Sequence, residues 1–324
     1  MKVRQICMMV LLGLGVIPAM QAQTFDKLWK EVEQAEKKSL PKTVIKLTDE
    51  IYQKGEKERN SAQMLKAYMW RMKTQDILTP DSFYVGLRDL EQWAKQTEQP
   101  MDRAILHSLI AEFYANYAAD NQWQLRQRTE IVGETPSADI REWTANMFVE
   151  KVRTNVKEAL ADSLLLLKTS SLNYIPFVEL GETSEYYHYD MYHLLASRAI
   201  RALNQIERLE RGSFNGITAS PVKQDISNIY ERMTDAYETA GLKEGYVLTM
   251  LQYLEWKRGN DNKLQPVQLK KGLGEWTADT YNAALDELKR QFKSEPICAE
   301  VYLAQVRYAV EKMQQVNALQ LCDE

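Results

Sequence analysis

The chain has 324 residues and a formal net charge of −4 at pH 7, and 27% of its residues are charged. A surface of this kind offers no electrostatic attraction to nucleic acid or to anionic lipid, which argues against both as partners. Thirteen glycines and nine prolines are too few for a collagen-like chain or a turn-rich β-sandwich, so the composition favours a helical protein.

Residues 1–22 have the three parts of an export signal. Lys2 and Arg4 form the positive start, Ile6 to Ile17 form the apolar core, and Pro18 to Ala22 form a small-residue exit. We expect cleavage after Ala22 and a mature protein in the periplasm or cell envelope. No later run approaches the ~18 apolar residues of a membrane span, so we expect no transmembrane segment after signal cleavage.

The following chain, up to residue 120, carries apolar residues at the three- and four-residue spacing of amphipathic helices. This spacing predicts five helices, whose apolar faces lie over 25–32, 44–52, 65–72, 83–93 and 106–117. The looser segment 120–136 is the first predicted joint. Ser137 is then predicted to cap one long helix that ends near Ser170.

The stretch 174–206 lies in the middle of the helical pattern. Pro176 and Gly181 interrupt any helix there, and Thr183 or Ser184 is predicted to cap a new one. The predicted helix has one apolar face, which carries Tyr192, Leu195, Ala199, Leu203 and Ile206. The tyrosines at 186, 187, 189 and 192 are interpreted as packing residues.

The carboxyl-terminal third continues the pattern. Pro221 begins a helix that Gly241 ends, and a second helix follows over 242–258. The segment 259–276 is the second predicted joint, and further helices are predicted over 282–293 and 297–313. A last helix begins at residue 316 and leaves two leucines unpaired, so we expect the natural chain to continue beyond Glu324.

Helices joined by short turns predict an all-α protein, specifically an α-solenoid of antiparallel helix pairs with tetratricopeptide-like character. The 34-residue repeat motif itself does not recur cleanly. The predicted organisation is a signal peptide (1–22), an N-terminal helical lobe (23–132), a central helical repeat lobe (133–258) and C-terminal tetratricopeptide-like helices (259–324).

Two of the three histidines lie in the central stretch, where a metal-dependent hydrolase would use Glu185, His188 and His193. On one helix, His188 and His193 would point about 140° apart, so they could not share an ion. His188 is expected at the wet end of the apolar face and His193 on its flank. Because no set of ligands converges, we assign no catalytic, cofactor or metal residues and predict no enzyme activity.

Cys298 and Cys322 remain after signal cleavage. If the last two predicted helices form a hairpin, the two thiols are offset by roughly 12 Å along the axis, beyond the ~7 Å that a disulfide spans between Cα atoms. We therefore expect two unpaired, buried thiols.

Several segments resemble the amino-terminal helical region of the large alpha-2-macroglobulin-like proteins of Bacteroidetes. The resemblance covers nearly the whole mature chain and is carried by 25–29, 104–117, 136–143, 175–179, 181–187, 194–203, 298–303 and 318–324. It implies an exported scaffold region of a protein that traps and inhibits proteases. The partners that it implies are the downstream macroglobulin domains of the full-length protein, and proteases or envelope proteins.

The chain departs from the family in one large respect. It holds no Cys-Gly-Glu-Gln thioester motif, so the region is expected to be non-catalytic and unable to trap a protease covalently by itself. The alternative is a stand-alone periplasmic helical-repeat protein that binds peptides or glycans. Relatives of that kind usually carry a lipoprotein cysteine at the end of the signal, and Ala22-Gln23 is not one.

Overall fold

The computed structural model describes residues 17–79, 82–130, 136–210, 220–260 and 278–323. The described α-helices are α1 (Ile17–Lys37), α2 (Pro41–Glu58), α3 (Ser61–Leu78), α4 (Ser82–Gln96), α5 (Pro100–Asp120), α6 (Gln122–Gln127), α7 (Ala145–Ala159), α8 (Ser163–Lys168), α9 (Met191–Ile206), α10 (Pro221–Ala240), α11 (Lys243–Asn260), α12 (Ala278–Phe292), α13 (Cys298–Glu311) and α14 (Gln315–Asp323). No strand occurs in these ranges, where the only pairing of the β type is an isolated antiparallel bridge between Ser170 and Asp190. The predicted all-α class is confirmed.

The helices group into two compact units. The first contains the chain up to Gln92 together with Ser171–Leu180, and the second contains Trp93–Ser170 and the chain from Gly181 onwards. The predicted lobe borders after residues 132 and 258 do not coincide with this division and stay predictions. The predicted signal falls mostly on residues 1–16, which lie outside the described residues.

The first unit is built on α1, α2 and α3, in which each helix packs against the next. Phe25, Trp29 and Val32 recur at helical spacing on α1 and are buried against Ile51 of α2. The indole N–H of Trp29 donates to Oε1 of Gln63 at 2.7 Å, so this large ring is buried without losing its hydrogen bond. The same tryptophan stabilises α1 against α3.

The second unit begins with three mutually packed helices, α5, α7 and α9. Helix α10 packs on α9, α11 on α10, and α12 to α14 follow by contacts between neighbours in the chain. Gly241 ends α10 in the left-handed conformation (φ 70°), as the sequence predicts, because a residue without a Cβ adopts it at no steric cost. Helices α10 and α11 therefore form a tight antiparallel pair.

The single long helix predicted from Ser137 to Ser170 is wrong. The chain makes a short 3-10 turn (Ile140–Glu142), an extended residue at Trp143, and then two separate helices, α7 and α8. Trp143 leaves the helical conformation because its indole N–H donates to Ser137 O at 2.7 Å while its ring stacks on Tyr114 at 5.3 Å. Asp162 then begins α8, since its carboxylate accepts the backbone N–H of Leu165.

Both carboxyl-terminal cysteines are free thiols. Cys298 is buried, as predicted, whereas Cys322 is exposed, which corrects the expectation that both are buried. Within the ranges that the structure covers, no helix is both long enough and apolar enough to cross a membrane.

Candidate functional site

Helix α9 begins at Asp190, not at Thr183 or Ser184 as predicted. The carboxylate of Asp190 accepts the backbone N–H of His193 at 2.7 Å and so caps the helix. The residues before it form a 3-10 turn, Ser184–Tyr187, followed by two residues with positive φ, His188 and Tyr189. The sequence carried a signal for the true start, because Asp is a preferred N-cap residue. Thr183 and Ser184, which precede Asp190, are also N-cap residues and were chosen instead.

The histidines of this stretch consequently have different positions from those predicted. His188 is exposed in the turn before the helix, and His193 lies in the first turn of α9. They do not share a helix, so the angle of about 140° predicted between their side chains does not describe their arrangement. The ring of His193 stacks on that of Tyr187 with 3.6 Å between centroids and 10° between planes, which is a packed position and not a free flank.

The structure does not gather the residues of the metal hypothesis into a site. Glu185 and His188 are both exposed, whereas Nδ1 of His193 is buried and has no hydrogen-bond partner among the described residues. His107 lies on α5, where its Nδ1 is 2.8 Å from Oδ1 of Asn155. Across the residues that the structure covers, no three His, Cys, Asp or Glu side chains are placed to hold a metal ion.

A buried polar cluster surrounds the start of α9, and sequence reasoning missed it. Asp190 is only 5% exposed, and the hydroxyl of Tyr237 on α10 donates to its two carboxylate oxygens at 3.1 and 3.3 Å. Tyr187 and Tyr192 are also buried and pack against the ring of Tyr237. Gly245 of α11 permits this packing, because a Cβ there would lie 3.2 Å from Tyr237 and 3.3 Å from Tyr187.

Burial governs the titration of this cluster. It raises the pKa of Asp190 to about 6, although the backbone N–H of His193 and the hydroxyl of Tyr237 oppose the shift. Burial also lowers the pKa of His193 to about 4 and raises that of Tyr187 to about 12. The pKa of Tyr237 is raised by burial and by the adjacent Asp190 carboxylate.

Such shifts occur at catalytic sites and in structural networks alike. Here the groups point into packed protein, and a substrate would have no access to the carboxylate of Asp190. The cluster therefore fixes the position of α9 against α10.

The second unit also has an open groove of 620 Å³ between α7 and α10. Two contacts connect its walls: Nε of Arg153 donates to Oδ2 of Asp225 at 2.5 Å, and Nη2 of Arg232 donates to Leu160 O at 3.2 Å. From the first contact to the second, the residue number rises by seven on α7 and by seven on α10. The two helices therefore run parallel and in register. Both helices also pack on α9.

The groove has an apolar floor and charged walls. The floor is formed by Val156, Leu160 and Ile229, which are buried. The walls carry cations and carboxylates on both helices, namely Glu150, Arg153, Lys157, Asp225, Glu231, Arg232 and Asp235. Its volume falls in the range of ligand pockets.

Comparison of the chain with protein-family models, with curated proteins and with solved structures finds no match.

Proposed function

We propose that the chain is the exported, non-catalytic helical scaffold region of an alpha-2-macroglobulin-like protease-trapping inhibitor, and that its helices form a tetratricopeptide-like solenoid. The observation that carries the proposal is the order of packing in the second unit. From α9 to α14 each helix contacts its neighbour in the chain, as expected for repeats that bury their apolar faces against one another.

The parallel register of α7 and α10 also supports a solenoid. In a stack of helix pairs, the equivalent helices of neighbouring pairs run in the same direction and line one face. Arg153 with Asp225, and Leu160 with Arg232, are matched in this way. The resemblance to the macroglobulin-like proteins supports the exported and inhibitory part of the proposal.

A second candidate is a stand-alone periplasmic helical-repeat protein that binds peptides or glycans. The groove between α7 and α10 favours it, because a scaffold that only connected other domains would not need an open, partly apolar site of this volume.

The exported state is tested by fractionating source cells and sequencing the amino terminus of the purified protein. We expect a periplasmic or envelope protein that begins at Gln23. A protein that retains Met1 and stays in the cytoplasmic fraction would contradict both candidates, because both require export.

A further inference from the structure

We draw no further inference here: the strongest candidate, the exposed apolar face of α13 and α14 formed by Leu303, Val310, Val316 and Leu319, carries nothing because nothing in the structure shows what covers it.

Discussion

The hydroxyl of Tyr237 donates to the buried carboxylate of Asp190 at 3.1 Å and so connects the start of α9 with the last turn of α10, 47 residues later in the chain. Asp190 also caps α9 through the backbone N–H of His193. One carboxylate therefore sets both where a helix begins and how the next long helix packs against it. This contact helps to hold the three helices α9, α10 and α11 in position where they meet in the second unit.

Replacing Tyr237 with Phe tests that dependence. The variant leaves a buried carboxylate with one hydrogen bond fewer, which should lower the free energy of unfolding by about 1–3 kcal/mol. Tyr230→Phe is the control on the same helix, because no hydrogen bond of the Tyr230 hydroxyl occurs among the described residues, and it should cost less than about 0.5 kcal/mol. Urea unfolding of both variants measures the difference, and equal losses would show that the hydroxyl of Tyr237 adds nothing.

Asp190 and His193 should make opposite contributions to the pH dependence of stability. The pKa of Asp190 rises to about 6 on folding, so between pH 4 and 6 the folded state holds a proton that the unfolded chain releases, and stability from this group falls as pH rises. The pKa of His193 falls to about 4, so its contribution is full above pH 6.5 and is lost as pH falls towards 4. Each group changes the free energy of unfolding by on the order of 3 kcal/mol over its titration range, so the two contributions nearly cancel between pH 4 and 6.

Single substitutions uncover the two contributions. Relative to the wild type, Asp190→Asn should gain stability as pH rises from 4 to 6, because it removes only the contribution that falls. His193→Gln should show the reverse trend over the same interval. Unfolding free energies measured at pH 4, 5 and 6 give both differences, and parallel pH profiles for the three proteins would show that neither group titrates abnormally.

His193 should also matter at neutral pH. Since its ring stacks on Tyr187, His193→Gln should cost about 0.5–1.5 kcal/mol, more than an exposed substitution. His188→Asn is a suitable comparison, because His188 is exposed and Asn tolerates its positive φ of 50°; it should stay within about 0.5 kcal/mol. Thermal melts with and without a chelator measure both. A melting temperature that the chelator lowers only when His193 is present would favour the metal hypothesis.

The two cysteines should react at different rates. Cys322 is exposed and should be alkylated in the folded protein, whereas Cys298 is buried, burial raises the pKa of its thiol, and it should react only after unfolding. Mass spectrometry after iodoacetamide treatment measures each site. A second alkylation that required a reductant in addition to the denaturant would reveal a disulfide and contradict the assignment of free thiols.

Sequence periodicity predicted the helical class and the apolar faces of most helices, although it merged α7 and α8 into one. Leu195 and Leu203 of α9 are buried as predicted, because three- and four-residue spacing reports directly on which face meets the core. Helix starts were harder to predict where several cap residues compete, as Thr183 and Ser184 did with Asp190. Tyr114 and Tyr237 show why: they hold Trp143 and Asp190 through contacts across 29 and 47 residues, and no local pattern encodes such contacts.

The groove could not be predicted for the same reason. Lys157 and Arg232 are ordinary charged residues of two separate helices in the sequence. Only the packing of α7 and α10 on α9 brings them to one surface. In the sequence, their local spacing is that of any solvated helix face.

The central claim is that this chain is one helical region of a larger exported macroglobulin-like protein. An antibody against the purified chain, used on fractionated source cells, tests it most directly. We expect a single polypeptide in the periplasmic or envelope fraction that is much larger than the 37.6 kDa of this chain. A native band at the mass of the chain alone, in the periplasmic or envelope fraction, would contradict the scaffold-region proposal and favour the stand-alone binding protein.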